Sequence, residues 1–87
     1  MAEFLVELYA APSSGDAIAE RARAAAETAS RSGALVRYLS SIFVPEDETC
    51  FLLYEANSLE DVRAAATCAG LVFERVTLAH ARDAAKH

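Results

Sequence analysis

Thr49-Cys-Phe-Leu-Leu-Tyr-Glu-Ala56 is the segment from which the fold can be predicted. It is rich in residues that favour β structure, and both of its alternating faces are apolar until Glu55. A strand with one face in water normally alternates apolar and polar residues. The segment therefore predicts a central strand of a sheet that is covered on both faces.

Three further strands are predicted around this one. Residues 3–9 alternate regularly, which places Phe4, Val6 and Leu8 on one face. A second strand is predicted over residues 35–44, and the polar turn at residues 45–48 joins it to the central strand as a hairpin. Residues 72–78 form the last predicted strand.

Two helices separate these strands. Ser13 with Asp16, and Ser58 with Asp61, have the spacing of capping boxes that begin helices. Each helix carries a stripe of small apolar residues and is expected to end at a glycine, Gly33 or Gly70. The resulting order βαββαβ predicts an α+β, ferredoxin-like fold with a four-stranded antiparallel sheet in the order 4-1-3-2 and both helices on one face. Residues 1–79 are predicted to form a single domain, and residues 80–87 a C-terminal tail.

With both helices on one face, the other face of the sheet is left open. Arg37 is expected to avoid the core, and strand alternation then assigns further residues to the open side. The apolar residues assigned to it are Leu5, Tyr9, Leu39, Phe43, Phe51, Leu53 and Phe73. Because this is more contiguous apolar surface than a monomer normally exposes, we expect a homodimer in which two open faces stack into a dimeric α+β barrel.

Six polar side chains interrupt this apolar surface: Glu7, Tyr9, Arg37, Ser41, Glu55 and Arg75. All of them except Arg75 are candidate ligand-binding residues. Two interpretations stay open, namely structural pairing of glutamate with arginine and a ligand pocket between the sheets. A carboxylate site built from Glu3, Glu7 and Glu55 is a further candidate, with Glu55 expected nearer to Glu3 because the strands are antiparallel. No metal-binding residue can be assigned beyond this.

Composition and the absence of known motifs disfavour several classes of function. The formal net charge of −5 and a pI near 4.9 disfavour a nucleic-acid partner and an anionic membrane surface. The sequence has no apolar run of the ~20 residues that cross a membrane, so we expect a cytoplasmic protein. Cys50 and Cys68 are expected to be buried, reduced thiols. We find no phosphate loop, nucleophile elbow or metal motif, so we assign no catalytic residue and favour a non-enzymatic role.

The segment from Val36 to Ala66, followed by Ala69-Gly-Leu and Phe73-Glu-Arg-Val, resembles a family of small bacterial domains described as nickel-binding-protein-like. The resemblance is most specific at Thr49–Ala56. It implies a ferredoxin-like dimer and nickel as the ligand, but it does not identify the metal ligands in this chain. The positions it emphasises are Cys50, Tyr54 and Glu55, with Glu7 on the neighbouring strand.

Three functions follow from these observations. The first is a small dimeric binding protein that holds a metal ion, such as nickel, or a small molecule between the two sheets. The second is a cofactor-independent enzyme of the dimeric α+β barrel kind, such as a monooxygenase or cyclase, that uses Glu7, Tyr9 or Arg37 around an apolar pocket. The third is an interaction module without a ligand.

Overall fold

The computed structural model describes residues 1–82 and confirms the predicted ferredoxin-like βαββαβ fold. The sheet is antiparallel with strand order β2-β3-β1-β4, which is the predicted order 4-1-3-2. The strands are β1 (Ala2–Tyr9), β2 (Val36–Val44), β3 (Thr49–Ala56) and β4 (Phe73–Ala79). The helices are α1 (Gly15–Arg31) and α2 (Leu59–Cys68), and a single 3₁₀ turn at Pro45–Asp47 connects β2 to β3.

The central strands β1 and β3 pair without interruption. Their register runs over eight residue pairs from Ala2 opposite Ala56 to Tyr9 opposite Thr49. Burial alternates along both strands, with Val6, Leu52 and Tyr54 completely buried against the helices. This confirms the predicted phase of both strands and the central position of Thr49–Ala56.

Both helices pack small apolar residues on the same face of the sheet. The hydroxyl of Ser58 accepts a hydrogen bond from the amide of Asp61 at 3.2 Å, as its capping-box pattern predicts. The prediction for α1 is wrong by one residue: Ser14, not Ser13, precedes this helix, and its hydroxyl donates to the carbonyl of Ala11 instead of capping. The buried stripe of α1 is formed by Ile18, Ala22, Ala25 and Ala26.

The edge strand β2 contains a bulge that changes its phase. Tyr38 pairs with Tyr54, but the next pair joins Ser40 to Leu53, so Leu39 has no opposite residue. As a result Ser41 and Phe43 lie opposite helix-facing residues, and Phe43 packs against the core. The predicted open-face positions of these two residues are therefore wrong, because simple alternation cannot account for one extra residue in a strand.

The other edge strand, β4, contains a second bulge. Arg75 pairs with Glu7 and Phe73 pairs with Leu8, which leaves Glu74 as the extra residue. Phe73 therefore lies on the helix side, where the guanidinium carbon of Arg63 is 5.8 Å from its ring centroid. The prediction that Phe73 faces the open side is wrong. Val72, predicted to face inward, is 87% exposed just before the strand.

The two cysteines differ in their surroundings. Cys50 is buried in β3, whereas Cys68 is exposed at the end of α2, and both thiols are free. The prediction of two buried thiols thus holds only for Cys50. No helix within residues 1–82 is long and apolar enough to cross a membrane.

Candidate functional site

The open face is the side of the sheet that neither α1 nor α2 covers. Its centre is a band of four apolar side chains from three adjacent strands, which we name the apolar strip: Leu5, Ile42, Phe51 and Leu53. Leu5 lies opposite Leu53, and Ile42 lies opposite Phe51. Ile42 is 60% exposed, while the other three are partly buried. The strip is therefore continuous across β1, β3 and β2.

Two ion pairs flank the apolar strip. Nη1 of Arg37 donates to Oε1 of Glu55 at 2.9 Å, and Nε of Arg75 donates to Oε1 of Glu7 at 2.9 Å. In each pair a glutamate on a central strand meets an arginine on the adjacent edge strand. The glutamate side chains are 27% and 30% exposed and the arginines 69% and 70%. The carboxylates are thus held over the sheet while the guanidinium groups stay largely in water.

A third carboxylate, that of Glu3, lies at the same end of the open face as Glu55. Glu3 is directly opposite Glu55 in the register, as the antiparallel arrangement predicts, and its Oε1 accepts a hydrogen bond from the amide of Ala81 at 2.9 Å. Like charges at directly opposed positions repel each other. Arg37 offsets this repulsion on the Glu55 side. Glu7 lies on the same face, four residues further along β1 than Glu3.

The remaining candidate residues are separated from these pairs. Tyr9 is 58% exposed and lies opposite Thr49 at the end of β1. Ser41 lies opposite the buried Leu52, on the other side of the sheet, and Ser40 takes the open-face position. The geometry therefore brings Arg37 and Glu55 into contact and leaves Ser41 away from the face to which it was assigned.

Ile42 and Arg75 are not among the predicted ligand-binding residues. Ile42 shares a strand with Arg37, but its position on the same face depends on the bulge at Leu39. Arg75 is predicted to lie on the open face, and the structure confirms this position. Its register opposite Glu7 could not be read from the strand alone.

The described residues do not form a nickel site within one protomer. Residues 1–82 contain no group of three or more His, Cys, Asp and Glu side chains that could hold a metal ion. Imidazole nitrogen is a favoured ligand of nickel, and His80, the single histidine in this part of the chain, is exposed after β4. Oxygens of Glu7 and Glu55 are already bonded to arginines. The donors among residues 1–82 of one copy therefore do not fit this metal.

Cys50 and Tyr54, emphasised by the resemblance, lie on the opposite side of the sheet from Glu55. Burial raises the pKa of the Cys50 thiol, which disfavours the reactive thiolate. The Tyr54 hydroxyl donates to the main-chain carbonyl of Ala22 on α1 at 2.8 Å, and burial, with the Tyr38 charge, raises its pKa. Both side chains are parts of the core and link β3 to the helix layer.

Comparison with known proteins places this geometry in a family. The crystal structure of SCO4226 from Streptomyces coelicolor A3(2) has a similar fold, with a TM-score of 0.75 and 17% sequence identity, over 94% of this chain and 100% of that chain. No curated protein sequence matches. The profile of the family described as nickel responsive protein SCO4226-like matches residues 4–78. The chain therefore belongs to the SCO4226-like family.

Proposed function

We propose that the protein is a homodimeric binding protein that encloses its ligand between the open faces of two copies. The observation that supports this proposal is the apolar strip, which lies uncovered between two ion pairs. Soluble monomers rarely expose contiguous apolar surface of this kind. A second copy of the same face would cover it.

The open face is suited to pairing with itself. In a two-fold interface the same patch is used by both subunits, so apolar residues must meet apolar residues. The apolar strip occupies the middle of the face, and charged side chains lie at its margins. Leu5, Phe51 and Leu53, which are partly buried in one copy, would become fully buried in the dimer.

A ligand between the sheets would meet both glutamates and both arginines. In each ion pair one carboxylate oxygen accepts the arginine bond, and the second oxygen can accept from or coordinate a ligand. The family description supports nickel as the first ligand to test. Since residues 1–82 contain no sufficient donor cluster, nickel would need donors from both copies, whereas a small polar molecule could bind to the ion pairs directly.

The dimer is tested with a matched pair of substitutions. Ile42→Asp places a charge in the apolar strip, while Val72→Asp places the same charge at an apolar residue outside it. Light scattering at micromolar concentrations should show a dimer for the natural protein and Val72→Asp, and a monomer for Ile42→Asp. A natural protein that stays monomeric would contradict the proposal.

The ligand is tested by titrating nickel into protein without an affinity tag. Isothermal titration calorimetry should detect nickel binding by the natural dimer, and Glu55→Gln should weaken it about tenfold or more, as expected for loss of a charged donor. Glu60→Gln, an exposed glutamate on α2, is the matched control. Absence of heat and of a thermal shift would exclude nickel and leave a small molecule as the ligand class. The alternative function, a cofactor-independent enzyme of the dimeric α+β barrel kind, stays a prediction.

A further inference from the structure

A groove beside the edge strand β2 is lined by three arginine side chains. It runs between the last three turns of α1 and the beginning of β2, has a volume of about 420 Å³, and opens to solvent. We name it the arginine groove after its lining residues Arg23, Arg31 and Arg37. These are three of the chain's eight basic residues, in a protein with a formal net charge of −5.

The guanidinium groups of this groove have hydrogen-bonding capacity left. Arg23 contacts Glu20 at 3.4 Å and Arg37 contacts Glu55 at 2.9 Å, each through one nitrogen. A guanidinium group carries five N–H donors in a fixed planar fork. One carboxylate, Glu27, also lines the groove. Arginine charges therefore outnumber the carboxylate among the lining residues.

The floor of the arginine groove is fixed by the fold. Ala26 and Val36 are buried beneath it. The hydroxyl of Ser30 donates to the carbonyl of Val36 at 3.1 Å, which ties the end of α1 to the start of β2. Tyr38 packs edge-to-face on Tyr54, with ring centroids 5.9 Å apart. A ligand would thus meet a rigid floor, and only the arginine side chains would need to be ordered.

We propose that the arginine groove binds a small oxyanion with two or more negative charges, such as a phosphate ester or a polycarboxylate. Paired guanidinium forks match phosphate and carboxylate oxygens. The volume lies within the range of small-molecule sites, ~300–1,000 Å³. Arg23 and Arg31 lie on α1, on the opposite side of the sheet from the open face. Arg37 lines the groove and also pairs with Glu55 on the open face, so the two proposed sites share this residue, while Arg23 and Arg31 belong to the groove alone.

The test uses inorganic pyrophosphate and citrate as probes on the natural full-length protein, at low ionic strength. Amide NMR signals of residues 26–31 and 36–38 should shift and saturate with a Kd of about 1 mM or tighter. Sodium chloride at matched ionic strength should not reproduce the shifts. Pyrophosphate binding without citrate binding would identify phosphate as the ligand group, and the reverse would identify carboxylate. Failure of both probes to bind would overturn the proposal.

Substitutions away from the open face distinguish a site from general charge attraction. Arg23→Ala and Arg31→Ala should each weaken binding about tenfold, the effect of one charge-assisted hydrogen bond. Arg21→Ala removes the same charge from the same helix outside the groove and should change binding less than about twofold. Glu27→Gln should tighten binding, which a partly unfolded variant could not do. Equal effects of Arg21→Ala and Arg31→Ala would contradict a specific site.

Discussion

The two central strands and the two edge strands of this sheet follow different rules. β1 and β3 keep one register over eight pairs, and every residue lies on the face that simple alternation predicts. β2 and β4 each contain one extra residue, Leu39 and Glu74, at which the alternation reverses. The central strands thus define the fold, whereas the edge strands decide which side chains reach the open face.

Each bulge places an arginine and a phenylalanine of the same strand on opposite faces of the sheet, although simple alternation would place both on one face. In β2, Arg37 and Phe43 are six residues apart and would share a face in a regular strand. In β4, Phe73 and Arg75 are two residues apart and would also share a face. Each bulge lets its strand place the arginine over a central glutamate and the phenylalanine against the helices. Bulges are common at sheet edges, where an extra residue disturbs only one neighbouring strand.

Deletion of a single residue should have a much larger effect on stability in a central strand than in an edge strand. Deletion of Leu5 shifts half of β1 by one position, which turns either Phe4 or Val6 with Leu8 away from the core. We expect no cooperative unfolding transition in urea for this variant. Deletion of Leu39 or Glu74 removes a residue that has no opposite partner and leaves all the residue pairs in place. These variants should therefore fold, with a decrease in the free energy of unfolding below about 2 kcal/mol.

Circular dichroism and urea denaturation of the three deletions give the measurement. Each variant lacks one residue of the natural chain, so the three variants have the same length. If deletion of Leu39 unfolds the protein as completely as deletion of Leu5, then the bulge itself is required for the fold, and the distinction between central and edge strands is wrong.

The same difference explains how much the sequence could predict. Alternation along β1 and β3 and the glycine at each helix end were sufficient for the element order, the sheet order and the inward residues of the centre. The faces of Ser41, Phe43 and Phe73 were assigned wrongly, because a bulge leaves no mark in a pattern of period two. The residue types allow glutamates and arginines of the open face to be expected in ion pairs, but the contact of Arg37 with Glu55 depends on the register.

Tyr54 and Tyr38 are an opposed pair in which a central strand and an edge strand differ in the burial of the same residue type. Tyr54 on β3 is fully buried and donates to Ala22, whereas Tyr38, directly opposite on β2, is only partly buried. Tyr54→Phe should lower the free energy of unfolding by about 1 kcal/mol, since it leaves a buried carbonyl with one partner fewer. Tyr38→Phe should change it by less than about 0.5 kcal/mol. Urea denaturation of both variants measures the difference.

The effect of Tyr54 should also depend on pH. Burial raises the pKa of its phenol above the ordinary value of 10.0, so the unfolded chain ionises first as the pH rises. The stabilisation by this hydroxyl is complete below about pH 10 and is lost above it. The difference between the natural protein and Tyr54→Phe should therefore be constant from pH 7 to 9 and narrow above pH 10. A difference that widens with pH would contradict burial of the neutral phenol.

The two ion pairs should give the smallest effects, and they should not be equal. Partly exposed pairs contribute about 0.2–1 kcal/mol. Glu7 faces Phe51 across the strands, but Glu55 faces Glu3, whose charge opposes its own. Glu7→Gln should therefore lower the free energy of unfolding more than Glu55→Gln, and 1 M NaCl, which shortens the Debye length to about 3 Å, should remove the difference. The opposite result would be a larger loss of stability for Glu55→Gln than for Glu7→Gln, with a difference that increases with protein concentration. It would mean that Glu55 contributes chiefly within the dimer, because only a contact between copies depends on concentration.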